Sequence, residues 1–107
     1  MGDDDMAFAR SVQRQIETIE SFAEVVLSDK NGYPISRLKM GIPRYPWVTP
    51  ASDDWTIADW KRERFEPLYG LWTPLIFAYD FHQRLHQVRD TMKLSFVRRR
   101  SEHLWWK

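Results

Sequence analysis

The sequence predicts a mostly α-helical fold, a small three-helix domain closed by a proline-rich extended connection, and three observations carry that expectation. Residues 73–100 read as a helix. Thr73 is placed to cap it, Pro74 suits the first position, and Phe77, Phe81, Leu85, Val88 and Met92 recur every three or four residues along one face. Residues 6–28 repeat the pattern with Phe8, Val12, Ile16, Ile19, Phe22 or Ala23, and Val26. Arg10, Arg14, Glu17, Glu20 and Glu24 fall largely off that row. Between the two, Pro34, Pro43, Pro46 and Pro50 rule out a continuous helix over 33–51.

Taken in order, the first helix is expected to end at Asn31-Gly32, two residues that tolerate a left-handed backbone. A competing reading places a β-hairpin near 24–38, with Asp29, Lys30, Asn31 and Gly32 as its loop and the helix ending near Phe22. Over about fifteen residues (AEVVLSDKNGYPISRL) this segment resembles the helix, short strand and turn of enzymes of the pyridoxamine-phosphate-oxidase type. That resemblance implies a flavin-binding barrel, and nothing downstream supplies the further strands. Residues 33–51 carry Ile35, Leu38, Met40, Ile42, Tyr45, Trp47 and Val48, so the stretch is expected to wrap the core rather than act as a free tether. Ser52 or Asp53 is expected to cap a second helix bearing Trp55, Ile57 or Ala58, Trp60 and Phe65, ended by Pro67 and Gly70. Residues 68–79 are uncharged. A bilayer crossing needs about twenty residues, so this run is a buried junction or at most an interfacial segment.

At 107 residues the chain is expected to form one helical domain, with an acidic tail at 1–5 and a basic, aromatic tail at 98–107. There is no cysteine, so neither a disulfide framework nor thiolate chemistry is available, which fits a cytoplasmic or other reducing intracellular compartment. The opening MGDDDM lacks the basic and apolar regions of a secretory leader, and Met6 is an alternative start. The net charge of +1 conceals an asymmetry. Residues 1–29 set seven acids against Arg10 and Arg14, and residues 83–107 set seven bases against Asp90 and Glu102. Opposed ends of this kind suit an internal attraction between first and last helices, or one across a homodimer.

Two constellations bear on function. His82, His86 and Asp90 stand at i, i+4 and i+8, a spacing that on a helix stacks three metal ligands on one face. Glu20 and Glu24 could face them from the first helix. No HExxH or ExxH accompanies them, so they are weak candidates, and no metal or other cofactor is expected. Arg98, Arg99 and Arg100, followed by Leu104, Trp105 and Trp106, combine the residue types most enriched in protein–protein hot spots. There is no nucleophile elbow, phosphate-binding glycine loop or dinucleotide fingerprint. The expectation is a non-enzymatic protein that binds another protein, or itself, through Arg98–Arg100 and the tryptophans, as an assembly subunit, adaptor or inhibitor. The alternatives are a nucleic-acid binder using the basic last third and a peripheral membrane subunit.

Overall fold

The computed structural model describes residues 6–101. It corrects the mostly α-helical expectation. Among the described residues five strands form two antiparallel sheets, with 34% helix and 23% strand, an α/β fold.

The chain opens with β1 (Met6–Ala7) and α1 (Ala9–Glu20). Ala9, Val12 and Ile16 form the buried stripe of α1, and Gln13 and Glu20 lie on it as well. The first two helical N–H groups have no partner within the helix. Carbonyls of the proline-rich stretch take them, Lys39 O at 2.8 Å from Ala9 N and Arg37 O at 3.0 Å from Arg10 N. Ser21 then adopts a left-handed φ of 60°, which ends α1 well before Asn31-Gly32. The chain continues into β2 (Glu24–Ser28), whose Val25 and Leu27 point inward. The turn after β2 is built on Asp29, whose carboxylate accepts the N–H groups of Asn31 and Tyr33 while Gly32 takes a φ of 89°. The returning arm makes a bridge between Ser28 and Pro34 and two bonds, from Asp29 N–H to Tyr33 O and from Ile35 N–H to Leu27 O, and forms no strand of its own there.

Residues 33–51 contain no helix, with a turn at 37–38, a left-handed Gly41 and a bend at 49. Within them β3 (Ile42–Pro43) pairs with β1, and Ile42 and Tyr45 are buried. The second helical run is capped by Thr56 rather than by Ser52 or Asp53. Thr56 and Asp59 form a reciprocal capping box. The run comprises α2 (Ile57–Trp60), a π-helical turn (Lys61–Phe65) and α3 (Glu66–Tyr69). Pro67 has no N–H to continue an i−4 ladder, and the N–H of Glu66 just before it bonds to Lys61 O, five residues back. Trp60 sits at the centre of the core, edge-on to Phe22 at 5.3 Å, with Phe65 and Tyr69 continuing the aromatic row.

The largest departure lies in 73–100, which is no single helix. It contains β4 (Thr73–Tyr79), β5 (Leu85–Gln87) and α4 (Leu94–Ser101). Along β4, Pro74, Ile76 and Ala78 are buried and their neighbours are partly exposed, a period of two. The Phe77–Met92 row is therefore a coincidence of spacing, and its second member, Phe81, is 84% exposed at the hairpin tip. The sheet order is β2-β4-β5, both pairings antiparallel. The bonded pairs of the β4–β5 ladder include Ile76 with Val88 and Asp80 with Arg84. By alternation, Pro74 turns its missing donor to the β5 side, past the point where β5 has ended, so no ladder bond is lost. α1 lies along β2 and α4 against β4. No helix among the described residues is long and apolar enough to cross a membrane.

Candidate functional site

Two concentrations of polar chemistry stand out, and they do different things. The first surrounds Glu20, which the sequence pattern places off the apolar row and which is fully buried. One carboxylate oxygen, Oε1, accepts the N–H of Ala51 at 2.9 Å and Arg98 Nη2 at 2.8 Å. The other, Oε2, accepts the hydroxyl of Tyr45 at 2.5 Å and Arg64 Nη1 at 2.8 Å. Trp60 Nε1 donates to the Tyr45 oxygen, and Arg98 also reaches the carbonyls of Glu20 and Ala51 and the carboxylate of Asp53. Burial, and then the hydrogen bond to Glu20, push the Tyr45 phenol well above its ordinary value, so it stays protonated and donating. No buried side-chain polar atom among the described residues lacks a partner. With two donors on each oxygen, Glu20 has no lone pair to spare for a substrate. The cluster ties the end of α1 to α4, to the helical run and to the proline-rich stretch.

The second concentration is at the tip of the β4–β5 hairpin and the adjoining face of α4. Asp80 accepts the N–H groups of His82 at 2.8 Å and Arg84 at 2.9 Å, while Gln83 takes a left-handed φ of 61°. The N–H of Arg84, above all, holds the Asp80 carboxyl below its ordinary range. The other carboxylate oxygen meets His86 Nε2 at 2.7 Å. Beside this pair a cavity of about 160 Å3 is lined mainly by Ala78, Val88, Met92, Phe96 and Val97. At its rim the Arg100 guanidinium lies 4.4 Å from the ring centre of Phe81 and 5.5 Å from that of Phe96. Phe81 is 84% exposed, and Leu85 and Phe96 are each 40% exposed, so the rim is an apolar patch that the fold leaves uncovered. Arg84, Arg89, Lys93 and Arg99 are exposed. Neither they nor Arg100 have a carboxylate partner among the described residues.

The residues singled out in the sequence are therefore dispersed. Arg98 is turned inward onto Glu20, while Arg99 and Arg100 stay at the surface. Leu104, Trp105 and Trp106 lie outside the described residues. His82, His86 and Asp90 share no helical face. His82 is in the hairpin turn, His86 is on β5 against Asp80, and Asp90 pairs with Lys61 at 2.7 Å. Glu24 is on β2, and no group of three His, Asp or Glu among the described residues is placed to hold a metal ion. The surface placement of Phe81, Leu85 and Phe96 is hidden in the sequence, because the helical spacing assigns two of them to a core row. The inward turn of Arg98 does carry a signal, for it comes four residues after buried Leu94 and so shares its helical face. Compared with protein-family models, with curated proteins and with solved structures, the chain matches none.

Proposed function

We propose that this chain is a non-enzymatic protein-binding module, an assembly subunit, adaptor or inhibitor. Its docking surface is the β4–β5 tip and the outer face of α4, with Phe81, Phe96, Arg99 and Arg100 at its centre. One observation carries the reading: Arg100 lies over two solvent-facing phenylalanine rings, beside an apolar cavity, with no carboxylate partner among the described residues. Interface hot spots are built this way, from Arg and aromatic anchors around a pocket. The buried carboxylate cluster supports the non-enzymatic half, because its every oxygen is committed to holding the fold together.

The test is quantitative affinity capture from the native source with two baits, the wild type and a Phe81→Ser/Arg100→Glu double variant of unchanged melting temperature. A partner retained by the wild type and lost by the variant is expected. Equal capture by both overturns the assignment of this surface. A nucleic-acid reading draws on Arg84, Arg89, Lys93, Arg99 and Arg100, which have no carboxylate partner among the described residues. It would show as binding to single-stranded oligonucleotides that falls steeply as salt rises.

A further inference from the structure

We infer that the open edge of β5 is a strand-addition site, which takes an extended acidic peptide segment of a partner protein and seats one of its apolar side chains in the cavity beside Phe96. This deepens the proposed function and rests on it.

The β4–β5 ladder determines which backbone groups face outward. With Asp80–Arg84 and Ile76–Val88 as bonded pairs of the hairpin, alternation makes Ala78–His86 the bonded pair between them. The N–H and C=O groups of Leu85 and Gln87 then point away from β4, toward solvent. All three residues of β5 are exposed, and no backbone hydrogen bond from elsewhere in the described chain reaches Leu85 or Gln87. This is the arrangement that an incoming strand completes, with main-chain bonds supplying affinity and side-chain pockets supplying selectivity.

The opposite edge of the same sheet shows what a closed edge looks like in this protein. On β2 the outward N–H of Val25 bonds to Glu17 Oε2 at 2.9 Å, and that of Leu27 bonds to Gln13 Oε1 at 2.8 Å. α1 thus spends two side chains capping one edge, while the other is left bare and flanked by aromatic and basic residues.

The cavity and the charge define the occupant. His86 shares the α4-facing side of the sheet with its partner Ala78, so the groove beside β5 runs into the cavity lined by Ala78, Met92, Phe96 and Val97. Its volume of about 160 Å3 matches what a single ring fills, since an engineered apolar cavity of about 150 Å3 accepts benzene. A strand on β5 would send alternate side chains toward that groove. Arg84 stands immediately before β5, Arg89 two residues after it, and Arg100 at the groove rim, all without carboxylate partners among the described residues. A second copy of this chain fits poorly, because it brings the same arginines, Arg84 and Arg89, to an edge that already carries them and supplies no charge complement. An acidic segment with one aromatic or large aliphatic residue satisfies the backbone, the cavity and the charges together.

The test is selection of a phage-displayed library of random short peptides against the wild type, Gln87→Pro and Arg100→Glu. Proline at 87 deletes one outward donor and no ladder bond, a substitution that edge strands accept. The expected result is enrichment of acidic peptides centred on a Phe, Leu or Ile, with affinity at least about tenfold weaker for either variant. That corresponds to the loss of one good anchor. Should Gln87→Pro disturb the fold, the selected peptides are remade with N-methyl groups on alternate amides. Loss of binding in one methylation register only is expected. Equal binding to wild type and Gln87→Pro, with loss in Arg100→Glu, overturns strand addition and leaves the docking surface standing. Enrichment that ignores both variants overturns both readings. Neutral or basic consensus sequences overturn the acidic partner. So does an oligonucleotide that binds this face when no peptide does.

Discussion

Along one edge of the three-stranded sheet, the outward amides of Val25 and Leu27 are taken by Glu17 and Gln13 of α1. Along the other, Leu85 and Gln87 face solvent among Phe81, Phe96 and Arg100. The strands differ in composition, β2 being largely apolar and buried and β5 exposed throughout. What closes or opens each edge, however, is the helix beside it. α1 runs along β2 and is locked in place by its C-terminal Glu20, whereas α4 lies over β4 and leaves β5 uncovered. An edge strand in a small domain is an aggregation hazard unless it is covered, and covering one edge while sparing the other is what a docking surface requires.

The contrast between the edges can be broken from the α1 side first. Glu20→Ala leaves the nearly buried Arg64 without a carboxylate and Arg98 with only the exposed Asp53, and frees the helix that shields β2. A loss of about 3–5 kcal/mol is expected in chemical denaturation. Faster exchange of the Val25 and Leu27 amides should accompany it. Gln13→Ala acts on the closed edge alone. It removes the acceptor of a buried N–H, so a loss of about 1–3 kcal/mol is expected, with the change in exchange confined to β2.

The hairpin of the open edge offers a gain instead. Gln83 holds a left-handed φ of 61°, which costs a non-glycine residue about 1–2 kcal/mol. Glycine removes that strain but adds unfolded-state entropy, so Gln83→Gly should stabilise by about 0.5 kcal/mol. A melting temperature below that of the wild type would contradict the left-handed turn. The smallest effect is expected at Glu17. Burial raises its carboxyl above the ordinary value, although the Val25 N–H pulls the other way. A carboxyl that is raised in the folded state adds stability that is fully present below the unfolded pKa and lost as pH rises through the folded one. Glu17→Gln can still accept the Val25 N–H and removes this dependence. At pH 7 it should match or exceed the wild type by a few tenths of a kcal/mol, the scale of half-exposed charges. Denaturation curves at pH 4 and pH 7 should show the gap closing at the lower value.

The sequence displays these two edges unequally. α1 is legible from its apolar repeat, but its end is not, because the repeat continues through Phe22 and Val26 while Ser21 has already turned left-handed. The hairpin loop at Asp29–Gly32 is readable as a competitor from its Asn-Gly. The turn at Asp80–Arg84 has the same Asp-anchored bonding, with Gln83 in the place of Gly32, and no glycine announces it. In 73–79 a period of two and a period of 3.6 fit the same apolar residues, and a run that short does not decide between them. Tertiary pairing with β2 decides it. For the site, the unusual chemistry of the arginines is visible, and their division is not. Arg98 differs from Arg100 in sharing the face of Leu94, and what waits on that face is Glu20, more than seventy residues away. The burial of Glu20 is not legible, because the helical repeat sets it off the apolar row.

The most direct test of these two edges is residue-resolved amide hydrogen exchange on the wild-type protein, free and with the peptides selected on it. In the free protein, Val25 and Leu27 should exchange slowly and Leu85 and Gln87 fast. Peptide should slow Leu85 and Gln87 and leave Val25 and Leu27 as they were. Slow exchange at Leu85 and Gln87 in the free protein, or no change there with peptide bound, would contradict an open, strand-accepting edge.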